Sequence, residues 1–170
     1  MEKVAKARAF AIAAHSAAGQ VRKYTGEPYH VHPAEVAQIV TARGGDQAQI
    51  CAAWLHDVVE DTAVTIELIE TEFGKDVAEL VGWLTDVSKP EDGNRAERKG
   101  IDRAHTGMAT LDAKMIKLAD LISNTSSIVE HDEKFAKVYL AEKRLLLTEA
   151  LYDADAQLLT KAWSQVKLED

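Results

Sequence analysis

The segment Ala52-Ala53-Trp54-Leu55-His56-Asp57-Val58-Val59-Glu60-Asp61-Thr62 ends an apolar helical run on polar, metal-competent side chains. Desolvating an imidazole or a carboxylate alone is costly, so groups of this kind finishing a buried helix need partners. Glu60 lies four residues after His56 and Asp61 four after Asp57, which stacks each pair one turn apart on neighbouring helical faces. One imidazole and three carboxylates are thereby concentrated within about a turn and a half. A mixed imidazole and carboxylate set suits a divalent cation such as manganese, iron or zinc. Such an ion lowers the pKa of a water that it holds. Two ligands from one helix do not complete a site. His32, directly before Pro33, and Asp120, in the amphipathic Lys117-Leu118-Ala119-Asp120 segment, are the candidates for the rest. Taken alone, a His-Asp dipeptide is more often a surface pair or a helix cap. Glu60-Asp61 alone reads equally well as acidic dressing of a helix N-terminus.

Outward from this segment the chain reads as helices joined by short loops. Val4, Ala7, Phe10, Ala11 and Ala14 recur on one face of an Ala-rich helix over 2–18. Gly19 to His30 is a polar loop marked by Gly26 and Pro28. Pro33 suits the first position of a helix running to about Arg43, before Gly44-Gly45. Asp46 and Gln49 predict a capping box that opens the helix of Cys51, Trp54, Leu55 and Val58. Thr65 is placed to cap a further helix ending near Gly74, and Leu80, Val81 and Leu84 belong to another. The stretch 87–107, with Pro90, Gly93, Gly100 and Gly107, reads as the least regular part. Helical patterns follow over about 111–129, 133–150 and 153–167. With β-type alternation essentially absent, the expected fold is an all-α helical bundle.

Composition limits the function. The chain has 170 residues, 46% hydrophobic and 28% charged, which fits one globular domain over 1–170. Lys plus Arg is 20 and Asp plus Glu is 28, a net charge of −8 that disfavours nucleic-acid backbone as a partner. Cys51 is the only cysteine, which excludes an intrachain disulfide and a thiolate-rich zinc site. The absence of a long apolar run and of an apolar leader after Met1 gives the expectation of a cytoplasmic protein with no membrane partner. Cys51 reads as a buried small hydrophobe, and Trp54, Trp83 and Trp163 as core.

Six blocks occur in order: Gly19-Gln20-Val21-Arg22-Lys23, Pro28-Tyr29, His32-Pro33, Leu55 to Thr62, Phe73-Gly74, and Lys117 to Asp120 with Asn124. This ordered set resembles the hydrolase domain of the RelA/SpoT alarmone enzymes, within the HD phosphohydrolase superfamily and nearest to its stand-alone MESH-type members. The resemblance spans about residues 5–150, so an attached synthetase or regulatory region is not expected. It implies a compact HD-domain bundle in which His32, His56, Asp57 and Asp120 hold a metal, usually Mn2+. It places Glu60 and Asp61 beside the attacking water, with Glu60 as the preferred general base. Arg22, Lys23, Asn124 and Tyr139 match positions that contact the nucleotide, and Arg95, Arg98 and Lys99 fall where basic residues approach the pyrophosphate.

The implied activity is removal of the 3′-pyrophosphate from guanosine or adenosine tetra- or pentaphosphate. Alternatives are an HD-type phosphatase acting on NADPH or another nucleotide phosphoester, and a non-catalytic alarmone-binding module. Arg103 and Lys137 read as solvated surface charges. His30, His105 and His131 have no assigned role. Three positions depart from the family pattern: Ala17 replaces a histidine with His15 out of register, Ser123 replaces an aromatic or histidine, and Ser126 replaces an arginine. The oligomeric state is not legible.

Overall fold

The computed structural model describes residues 1–166, and it is helical nearly throughout. The first unit, Met1–Thr85, contains α1 (Glu2–Ala17), α2 (Val31–Ala42), α3 (Gln47–Leu55), α4 (Val58–Asp61), α5 (Ile66–Phe73) and α6 (Lys75–Leu84). The second, from Asp86 onward, contains a 3-10 turn at Pro90–Asp92, α7 (Arg95–Gly107), α8 (Leu111–His131), α9 (Glu133–Glu149) and α10 (Ala156–Val166). Among the described residues there is no strand, only an isolated antiparallel bridge between Val21 and Pro28. None of the described helices is long and apolar enough to cross a membrane.

Helix α3 is the spine of the first unit and packs against α1, α2 and α6. The predicted capping box starts it: the Asp46 carboxylate accepts the Gln49 amide N–H, and Gln49 Oε1 accepts the Asp46 N–H. Cys51, Ala52, Ala53 and Leu55 are fully buried, so α3 is apolar nearly all round and must sit at the centre. Small residues on α1, Ala7 and Ala11, are fully buried as well and let its backbone come close. Burying Leu55 contributes about 1.5–3 kcal/mol from its apolar area. In the second unit α8 packs on α9 and α10, α10 packs on α9, and α7 packs on α9.

Four local expectations are corrected. Helix α2 begins at Val31, so Pro33 is its third residue and not its first. The first-turn amides have no intrahelical acceptor, and proline is tolerated there too. The apolar run does not continue as one helix: it breaks at His56-Asp57, with α3 ending at Leu55 and α4 starting at Val58. The stretch 87–107 is mostly the regular helix α7, because the Asn94 side chain accepts the amides of Ala96 and Glu97 while Glu97 accepts that of Asn94. Trp54 is buried, whereas Trp83 and Trp163 are only half-buried.

Candidate metal centre

The chain reverses after α1 through Gly19 (φ +66°) and Gly26 (φ +72°), left-handed conformations that glycine adopts without a Cβ penalty. Between them the Arg22 amide donates to the Glu27 carbonyl at 2.8 Å, and the Gly26 amide to the Arg22 carbonyl at 2.9 Å. This loop delivers Tyr29 and then His32, the second residue of α2, to the end of α3. There the break between α3 and α4 presents His56 and Asp57 side by side.

The Nε2 atoms of His32 and His56 are 3.2 Å apart. Asp57 Oδ2 lies 3.1 Å from His56 Nε2 and 3.5 Å from His32 Nε2. Both rings are buried, while Asp57 is half-buried. Among the described residues these form the one group of His, Cys, Asp or Glu whose ligand atoms all lie within 4.8 Å. Donors bound to one divalent ion at about 2.0–2.2 Å lie roughly 3–3.5 Å from each other, so the observed spacings fit a shared cation. Ring chemistry agrees. His56 Nδ1 contacts the Ala53 carbonyl oxygen at 2.8 Å; only an N–H can make that bond, and in the neutral ring this leaves Nε2 with its lone pair facing His32 and Asp57.

Glu60 and Asp61 follow on α4 and are exposed. Arg22 is half-buried, and Lys23 is exposed, its ammonium 3.2 Å from the Tyr24 hydroxyl. The remaining expected site residues belong to the second unit. On α8, Asp120 is buried, accepts from Asn124 Nδ2 at 2.7 Å and lies 3.7 Å from Lys117 Nζ. On α9, the Tyr139 ring is buried with Lys143 Nζ 4.9 Å from its centroid. Ser126, at the arginine position of the family, is bonded back to the Ile122 carbonyl at 3.1 Å.

Arg95, Arg98 and Lys99 border a cavity of about 270 Å³ with Asp86, Ser88 and Asp102. Two of these cations have carboxylate partners. Arg95 makes a two-pronged contact with Glu142 at 2.7 and 2.9 Å, and that hydrogen bond holds its guanidinium even more firmly protonated. Lys99 donates to Asp86 at 2.6 Å, and Arg98 Nε is buried with no hydrogen-bond partner. Burial by itself raises the Asp86 carboxyl, but Lys117, Lys99 and Lys143 outweigh it and hold it below the usual carboxylate range. Burial likewise opposes the Lys99 charge, and Asp86 and Asp102 more than compensate, raising it. Lys143 goes the other way: burial, then Lys117, push it down to about 8. Arg103 pairs with Glu149 at 2.6 Å, and Lys137 is exposed.

Two residues of the centre carried no role in the sequence reading. His15 is buried, contacts Gln20 Oε1 through Nδ1 and lies against the Tyr29 ring at 4.7 Å between centroids. Tyr29 donates its hydroxyl proton to Asp57 Oδ2 at 2.6 Å. The signal for His15 was its place four residues after Ala11 and eight after Ala7, on the buried stripe of α1. Ala17, at the family's histidine position, is exposed.

A family model described as an HD domain matches residues 7–146. A probable guanosine-3′,5′-bis(diphosphate) 3′-pyrophosphohydrolase of Synechocystis is 38% identical over 128 residues, 74% of this chain and 16% of that protein. The guanosine-3′,5′-bis(diphosphate) 3′-pyrophosphohydrolase MESH1 of Xenopus tropicalis is 42% identical over 99 residues, 57% of this chain and 54% of that one. The chain thus spans about half the length of one of these relatives and about a sixth of the other. A solved metazoan SpoT ortholog, which hydrolyses ppGpp and plays a role in starvation responses, superposes with a TM-score of 0.86 at 28% identity. That match covers 97% of this chain and 94% of the other.

Proposed function

The chain belongs to the HD-domain family, and from that premise we propose that it is a divalent-metal-dependent alarmone hydrolase. It removes the 3′-pyrophosphate of a guanosine or adenosine tetra- or pentaphosphate. The observation that carries the reading is the convergence of His32, His56 and Asp57 with the His56 tautomer set for coordination. The activity of the Xenopus and metazoan relatives supplies the reaction class.

His32, His56 and Asp57 would hold the ion, the family resemblance adds Asp120 as the fourth ligand, and Mn2+ suits such a set of imidazoles and carboxylates. When bound, the ion would supply Lewis-acid polarisation and a water of lowered pKa. Glu60 takes the proton of the attacking water, and Asp61 orients that water. The water oxygen goes to the phosphorus on the ribose 3′ oxygen, the P–O3′ bond breaks, and a proton is returned to the 3′ oxygen. Arg22 and Lys23 bind phosphate oxygens and offset the charge that builds in the transition state. Asn124 and Tyr139 contact the nucleoside, and Arg98 and Lys99 contact the departing pyrophosphate. Arg95 is held by Glu142 through two guanidinium nitrogens and has a structural role, whereas the three-donor ammonium of Lys99 serves phosphate oxygens beside Asp86. The substrate is a small anionic nucleotide drawn from the cytoplasmic pool, and nucleic acid is not a partner.

The test is a turnover panel of guanosine and adenosine alarmones, NADPH and 5′-monophosphates, run with Mn2+ and with chelator. The expected result is chelator-sensitive release of pyrophosphate from an alarmone. Inorganic phosphate from NADPH would replace the substrate assignment, and no release from any compound would sink the enzymatic reading.

A further inference from the structure

The Asp57 oxygen that faces both histidines also accepts a hydrogen bond from Tyr29, at 2.6 Å. It is the shortest of three contacts to that oxygen, the others being 3.1 Å from His56 and 3.5 Å from His32. The place of Asp57 in the chain gives this bond its importance. Asp57 sits at the break between α3 and α4, is half-buried, and makes no side-chain cap to α4.

Tyr29 is itself held from behind. Its backbone amide faces the Gln20 carbonyl at 3.4 Å, and its ring lies on the buried His15 ring, with centroids 4.7 Å apart and planes inclined at 42°. His15 is fixed in turn by Gln20 Oε1, an acceptor that calls for the proton on Nδ1. His15 Nε2 is buried with no hydrogen-bond partner. A buried imidazole that leaves one nitrogen unsatisfied costs stability, which favours a role for this ring in bracing Tyr29 over a simple packing role.

We propose that Tyr29 is the positioning residue of the metal centre, fixing the Asp57 carboxylate for coordination, and that His15 with Gln20 fixes Tyr29. The inference rests on the metal-site reading above and adds a residue that acts through Asp57. Outer hydrogen-bond partners of metal ligands typically change metal affinity about 10–100-fold when removed.

The test is titration of Mn2+ into the full chain against a chelating indicator, a readout that needs no turnover. Tyr29→Phe removes only the hydroxyl and is expected to weaken Mn2+ binding by about 10–100-fold, with the far-UV spectrum of the metal-free protein unchanged. Co2+ loading should show altered visible absorption bands in the same variant, which a merely structural tyrosine would leave in place. His15→Leu keeps the volume but loses the Gln20 contact, and is expected to weaken Mn2+ in the same direction. Tyr152→Phe, at an exposed tyrosine of the second unit, is the control with wild-type affinity.

Wild-type Mn2+ affinity in Tyr29→Phe overturns the proposal. If that variant does not fold, wild-type affinity in His15→Leu overturns it instead. A wild-type protein that binds Mn2+ but turns nothing over defeats the enzymatic reading alone, while one that binds no Mn2+ defeats both.

Discussion

One hydrogen bond, from His56 Nδ1 to the Ala53 carbonyl, decides what the other ring nitrogen can do. With the proton committed to the backbone, Nε2 is a ligand atom at any pH where the ring is neutral. Asp57 accepts the Tyr29 hydroxyl proton at Oδ2 and takes its orientation from that bond. Asp57→Ala is therefore expected to abolish metal retention and turnover while the helical spectrum persists. Metal content per chain after gel filtration checks this, and a variant retaining a full equivalent of metal would show the ligand assignment to be wrong. At this scale the His-Asp-x-x-Glu-Asp pattern was readable because its members are neighbours on the chain. His15 was not, because its relation to Tyr29 depends on how α1 and the loop after it pack.

Among the elements, α7 separates composition from local chemistry. Its glycines and charges suggest irregularity, yet Asn94 and Glu97 close a reciprocal cap that satisfies first-turn amides. Gly93, with φ of +116°, provides a conformation that side-chain-bearing residues avoid and brings the chain into that cap. Asn94→Ala is expected to cost about 1 kcal/mol, with Asn94→Ser recovering most of it; urea denaturation of both variants measures the difference. The Asp46–Gln49 box of α3 was legible for the reason that the Asn94–Glu97 box was passed over. The first stands before an apolar run, and the second before a helix that buries only Asp102 and Thr106 and so shows no apolar stripe.

For the molecule as a whole, the ion pairs of the second unit make stability depend on pH. Asp86 has its carboxyl held below the ordinary range, so its contribution is present above the unfolded carboxylate pKa and is lost as pH falls through the folded value. Lys99 is raised, so its contribution is full at neutral pH and is lost only as pH climbs beyond the ordinary lysine range. Asp86→Asn is thus expected to lower the melting temperature at pH 7 and to lose that difference toward pH 3. Parallel melts of the two proteins across that range test it; a gap that widens in acid would contradict the assignment.

By itself the sequence determined the helical class, most helix limits, the ordered motif set and the list of candidate ligands. These follow from periodicity, capping chemistry and side-chain type, all of which act within a few residues. Tertiary structure alone decided that His32 meets His56 across 24 positions of chain, that the Tyr29 hydroxyl reaches Asp57, and that Arg95 and Lys99 are already matched by carboxylates. Each of these depends on which surfaces bury one another. The chain specifies such contacts only through the packing of whole helices, where the apolar area removed from water outweighs any single polar contact.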